Sequence, residues 1–280
     1  MTAADTTGGF DIRTESAVQR RFGLETLDYC EDDARAVTRL ALAGMRNPVT
    51  NVSSLAPIAV LVDDAGSKAT YACRGQRWPV TSDLNIQFYA DAQPTLETDP
   101  GRHVVADARV LYATETNALA TCTLTSGTVA IGVATVRSVF ISGEVTATHR
   151  PTEVLVKTPQ TSLADLMSVR PTRNESAPTV LRQLPDPMVF NAVANVHGGI
   201  AAAGLELAAA AAISEATGYD DFRSGSLQVN FLRPFVAGGD SCYSGTAVHV
   251  GSSVSVADAE AIGQNGKVAV TARLTAYRPT

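Results

Sequence analysis

Asn195-Val196-His197-Gly198-Gly199-Ile200 leads into an alanine-rich run, Ala201-Ala-Ala-Gly-Leu-Glu-Leu-Ala-Ala-Ala-Ala-Ala-Ile213, and Glu206 stands nine positions after the histidine. The run reads as a helix over about 198–216 that begins at the glycine turn. A helix N-terminus offers backbone N–H groups without intrahelical partners and is locally positive. Two glycines there let a ligand oxygen approach the backbone. Glu206 is out of place on so apolar a helix, because burying an unpaired carboxylate is costly. It is therefore expected to face a polar cleft. An oxyanion site and an acid–base group are together enough to attack a carbonyl.

Working outward, a strand is expected through Ser226–Arg233, followed by three more near 240–250, 253–262 and 267–277. Gly238-Gly239-Asp240, Val250-Gly251-Ser252 and Gln264-Asn265-Gly266 mark the turns between them. The first half repeats this order. A helix is expected from Ile58 to Tyr71 with Asp63 and Asp64 inside it, then a strand through Asp83–Tyr89, then strands near 103–113, 117–125 and 128–139. Leu84-Asn-Ile-Gln-Phe88 overlays Leu227-Gln-Val-Asn-Phe231 at an offset of 143, which also places Asp63 on Glu206 and Thr81 on Ser224. A one-residue slip would substitute Asp64 for Asp63.

The fold class expected is α+β. Two tandem units, each an antiparallel sheet wrapped round a central helix, form an intramolecular pseudo-dimer. One such sheet alone leaves an edge and a face open. Residues 1–20 read as a flexible tail, 21–145 as the first unit, 146–184 as a crossover and 185–280 as the second unit. An extra helix is expected over Glu31–Ala43, and a short one near Ser162–Ser168.

A formal charge of −6 argues against nucleic-acid partners and anionic membrane surfaces. The four cysteines (Cys30, Cys73, Cys122, Cys242) lack metal-site spacing and read as reduced thiols. No metal or redox cofactor is called for. The polar N-terminus lacks the features of a signal peptide, and the apolar run at 200–213 is too short to span a bilayer. A soluble, cytoplasmic protein is the expectation. His103, His149 and His249 are isolated and read as surface or structural residues. Gly8-Gly9 and Gly238-Gly239 read as turns rather than phosphate loops.

The His-Gly-Gly turn, the carboxylate nine residues on, Phe231-Leu-Arg-Pro234 closing the next strand and the pair Gly251-Ser-Ser-Val-Ser-Val-Ala-Asp-Ala-Glu260 resemble a hotdog-fold acyl-CoA thioesterase of the phenylacetyl-CoA type. The resemblance is close over about 185–278 and only in outline over 45–140. It implies a fused double hotdog that hydrolyses acyl-CoA, with coenzyme A entering as part of the substrate. It also implies a site across the seam between units. Asn191, His197 and Gly198 would come from one unit, and a helix carboxylate with a strand Ser or Thr from the other.

One combination, Asn191, His197 and Gly198 with Asp63 and Thr81, is complete. Its twin joins Glu206 and Ser224 to Ser54-Leu55-Ala56, where the glycine turn is lost, Pro57 follows, and Pro48 stands at the Asn position beside Asn47. One competent site per chain is therefore expected. Gly199 and Arg233 are candidate substrate-binding residues, Arg233 toward a CoA phosphate. Members of that family often form tetramers of single units, which implies a possible homodimer of this chain. Two rival functions are a hotdog enoyl-thioester hydratase or dehydratase and a non-catalytic acyl-CoA-binding protein.

Overall fold

The computed structural model describes residues 15–42, 45–98, 103–142, 152–156, 158, 160–174 and 177–279. Gly8-Gly9, most of the expected tail and His149 lie outside the described residues. The first unit runs α1 (Ala17–Phe22), β1 (Glu25–Cys30), β2 (Arg35–Ala41), α2 (Ala56–Tyr71), β3 (Trp78–Phe88), α3 (Ala92–Thr98), β4 (His103–Ala113), β5 (Asn117–Ser126) and β6 (Val129–Ile141). The second runs α4 (Leu163–Met167), β7 (Val169–Asn174), β8 (Ala177–Gln183), a 3-10 turn (Pro187–Val189), α5 (Gly198–Thr217), β9 (Arg223–Phe231), β10 (Cys242–Val250), β11 (Val254–Ile262) and β12 (Val268–Tyr277).

The strands form one twelve-stranded antiparallel sheet in the order β1-β2-β4-β5-β6-β3-β9-β12-β11-β10-β8-β7. Read from either edge the order is the same, one unit mirroring the other. The units meet where β3 pairs with β9. Asn85 sits opposite Gln228 there, and these two residues are equivalent at the offset of 143, so the pseudo-twofold axis passes through this pair. The expected tandem hotdog pair is the fold observed.

Alternation builds the concave face: Leu84 and Ile86, Ala106 and Ala108, Ala118, Ala120, Cys122 and Leu124 are all fully buried. They close on α2 and α5, which pack against each other inside the curved sheet. Small residues set how tightly it closes. A methyl group at Gly245 would lie 2.2 Å from the Ala208 carbonyl oxygen of α5, and one at Gly204 would lie 2.4 Å from the Tyr243 ring. By length and apolar composition α5 could cross a bilayer, but it is mostly buried within the fold.

Two stretches differ from the sequence expectation. Of the helix expected over Glu31–Ala43, residues 31–41 are instead the turn and second strand of the β1–β2 hairpin, with Ala36, Thr38 and Leu40 turned inward, and Ala43 lies outside the described residues. Thr38 is the reason the strand period was hidden. It is a polar residue on the buried face, held there because its hydroxyl donates to Asp64 at 3.1 Å. The stretch read as a crossover contains α4, where the short helix was expected, and then the β7–β8 hairpin that completes the far edge of the sheet. The expected tail also overlaps α1, whose Ser16 forms a capping box with Gln19.

Candidate active site

The turn at the head of α5 meets α2 of the other unit. His197 is the N-cap, and its Nδ1 accepts from the Gly199 N–H at 3.2 Å. The same N–H donates more closely, at 2.6 Å, to Asp63 Oδ2. Because Nδ1 is an acceptor, the neutral ring carries its proton on Nε2. Asp63 Oδ2 lies 3.3 Å from that Nδ1, a contact that becomes an ion pair if the ring is protonated. The other carboxylate oxygen accepts from Thr81 Oγ1 at 2.9 Å and from Ser67 Oγ at 3.5 Å. Asp63 is 3% exposed, so these bonds replace most of its water.

The glycines make this approach sterically possible. A Cβ on Gly198 would stand 2.8 Å from Asp63 Oδ2, and one on Gly199 would stand 2.6 Å from the Val60 Cα. Among the described residues the Gly198 N–H has no hydrogen-bond partner, and it lies at the positive end of a 20-residue helix.

Asp63, not Asp64, faces this turn. Asp64 points to the opposite side of α2 and pairs with Lys68 at 2.6 Å, and both are buried. Asn191 shapes the loop before the turn: its Oδ1 accepts from the N–H groups of Val193 and Asn195. Arg233 is exposed. Its Nη1 donates to the Val268 carbonyl at the start of β12.

The twin half-site is built differently. Glu206 is 2% exposed and accepts from Ser224 Oγ at 2.5 Å and Ser54 Oγ at 3.0 Å. Burial pushes its carboxyl above the usual glutamate range, and the two serine bonds only partly oppose this. Ser54 also accepts from the Ala56 N–H, Pro57 has none, and Ile58 donates back to Leu55. The Ala56 and Ile58 amides of α2 are therefore taken up within the turn, and position 57 has no N–H. Beside Glu206 lies a small cleft walled by Asn47, Val52, Gln93, Tyr219 and Phe222, with Glu206 and Ser224 in its lining.

Two site residues escaped the sequence reading. Asn47, rather than Pro48, is the counterpart of Asn191. Its Oδ1 accepts from Val49 as Asn191 accepts from Val193, and its Nδ2 donates to the Leu207 carbonyl of α5 at 2.9 Å. The repeat offset shifts by one residue before the helix, which hid the match. Ser67 could have been found, since it lies four residues after Asp63 on one helix face.

Among the described residues no cluster could hold a metal ion. All four cysteines are free thiols, and burial pushes the Cys122 thiol up to about 12, which makes it inert at neutral pH.

Residues 194–270 match the family described as Thioesterase superfamily. No curated protein matches the chain. Among solved structures, a tesB protein of Mycobacterium avium subsp. paratuberculosis superposes with a TM-score of 0.60 at 15% identity, covering 94% of this chain and 98% of that one. The acyl-CoA thioesterase II TesB2 of Mycobacterium marinum gives 0.59 at 12% identity, covering 94% and 97%. At these identities the structures show the double-hotdog fold over nearly the whole chain, and they do not single out the phenylacetyl-CoA type.

Proposed function

We propose that this double hotdog, whose second unit matches the thioesterase superfamily, hydrolyses acyl-CoA thioesters to the free acid and coenzyme A. The observation that carries the reading is the buried Asp63 carboxylate held across the seam by the glycine turn of α5.

In this mechanism the thioester oxygen lies against the Gly198 N–H, with His197 Nε2–H as a second donor. One preorganised donor of this kind lowers the barrier by about 3 kcal/mol. Asp63 acts as general base. It takes a proton from water as the water oxygen bonds to the carbonyl carbon, and collapse of the tetrahedral intermediate breaks the C–S bond. The thiolate leaves and takes up a proton. Thr81 and Ser67 fix the carboxylate, Asn191 shapes the loop, and exposed Arg233 contacts a CoA phosphate. Coenzyme A is part of the substrate, and the chemistry uses no other cofactor. A soluble, cytoplasmic enzyme pairing into a homodimer is part of the same proposal.

The deciding experiment is release of free CoA, read with a thiol-trapping dye across a panel of acyl-CoA esters. Asp63→Asn should abolish release and Glu206→Gln should retain much of it. A second reading rests on the cleft beside Glu206, whose lining carries that carboxylate together with Ser224 and Ser54. There Glu206, Ser224 and Ser54 would do the chemistry, and the two variants would exchange outcomes. Ligand-induced thermal stabilisation without CoA release would point to a non-catalytic binding protein. Loss of enoyl absorbance without CoA release would point to a hydratase, for which the His197–Asp63 contact supplies the needed pair.

A further inference from the structure

Arg21 lies on α1 in the first unit, yet it is held by Glu153 of the connecting stretch and by residues of the second unit from Asp165 to Asp186. It is 2% exposed. Its Nη2 donates to Asp186 Oδ2 at 2.9 Å. Its Nη1 reaches the carbonyls of Asp165 and Leu166 at the end of α4, and Ser168 Oγ. Its Nε donates to Glu153. So many partners around one buried guanidinium make a fixed fork rather than a surface pair.

Asp186 passes this anchorage on. Its Oδ2 also accepts from Ser168 Oγ at 2.6 Å, and its Oδ1 caps the 3-10 turn by accepting from the Met188 N–H at 2.9 Å. Burial works against the ionised carboxyl, but the bonds from Ser168, Met188 and Arg21 outweigh it and hold Asp186 below the usual range. The capped turn presents the Val189 carbonyl, which accepts from the His197 N–H at 2.9 Å, and Phe190 bridges to Val196. The segment from Asp186 to Gly199 is therefore clamped at both ends by the first unit. Arg21 holds one end through Asp186, and Asp63 holds the other through the Gly199 N–H.

We propose that Arg21 is a positioning residue for the His197–Gly199 turn, reaching across the seam to fix the Asp186-capped segment and thereby the placement of the imidazole and helix amides against Asp63. The kinetic part of this proposal rests on the Asp63 reading above. The geometric part does not.

The test uses the full-length chain with Arg21→Met, Arg21→Lys, Asp186→Asn and the Arg21→Met/Asp186→Asn double variant. Three quantities are measured below each variant's melting transition: thermal midpoint, kcat and KM on the acyl-CoA that the wild type hydrolyses fastest, and the His197 ring-nitrogen NMR signals. Displacing a catalytic group by about 1 Å costs up to about 10²-fold. Arg21→Met is therefore expected to lower kcat by about ten- to a hundredfold, while KM stays within about twofold. The His197 Nδ1 signal should shift as its bond from Gly199 loosens. Arg21→Lys keeps the charge but not the fork, so it should recover only part of the loss, and the double variant should be no worse than the more impaired single variant.

Unchanged kcat and an unchanged Nδ1 signal in folded variants would make Arg21 a staple between units and overturn the proposal. If Arg21→Met does not fold, Arg21→Lys and Asp186→Asn carry the same comparison. If the wild type releases CoA from no ester, the proposed function fails, and the Nδ1 signal alone decides the role of Arg21.

Discussion

Gly198 and Gly199 leave the space that the Asp63 carboxylate and the Val60 backbone occupy. The two should fail in different ways when replaced. Gly198→Ala pushes a methyl onto a carboxylate that can tilt, so the fold should survive while kcat falls by about 10²-fold. Gly199→Ala pushes one onto helix backbone, and urea melts should show a loss of about 1–3 kcal/mol. Glu206 gives a pH signature. Its folded-state pKa lies above the usual value, so the folded state holds the proton more tightly than the unfolded chain. Its penalty is absent below the unfolded pKa, grows as pH rises through the raised one, and is complete above it. Glu206→Gln should therefore be more stable than wild type at pH 7, with the gap closing as acid is added. Denaturant melts across pH check this, and a gap that widens in acid would refute it. At this scale the sequence was legible where an unusual residue broke a pattern, as Glu206 and Asp63 do on apolar helices. Arg21 and Asp186 were not legible, since each is an ordinary charge in a polar stretch and only the chain path brings them together.

Among the elements, α2 carries two adjacent carboxylates with separate duties. Asp63 faces the seam, while Asp64 faces β2 and is neutralised by Lys68 with help from Thr38. Removing one member of a buried ion pair strands the other, at a cost of about 3–5 kcal/mol. Lys68→Met should show a loss of that order in urea melts, and adding Asp64→Leu should restore most of it. A loss no larger than a surface substitution gives would mean that water reaches the pair. The same contact explains the misread β1–β2 hairpin. The inward row Ala36, Thr38, Leu40 does alternate, but its middle member is polar for the sake of Asp64. Period alone could not reveal a partner from another element. The four strands after each central helix were legible because Leu84–Phe88 and Leu227–Phe231 keep strict alternation and glycine-containing turns mark most of the other boundaries.

For the whole molecule, the two units share one sheet and one core. Five residue pairs join β3 to β9, and α2 packs directly on α5. A half-chain of residues 152–280 would expose the β9 edge and the α5 face, both apolar and unpaired. Light scattering should find it as a dimer, its Glu206 then facing a second copy's His197–Gly199 turn. A cooperatively folded monomer would contradict the shared core. The seam itself was legible only indirectly. The repeat implied a twofold, but nothing in either half says that equivalent residues Asn85 and Gln228 stand side by side on it.

Two copies held in one polypeptide are released from symmetry. In an association of identical chains every substitution lands twice, so a proline at the head of one helix would silence both crevices. Here Ser54 takes up the Ala56 N–H of α2 and Pro57 has none, while the corresponding end of α5 keeps Gly198 and Gly199. Tethering thus lets the two helix heads differ without either change being copied into the other.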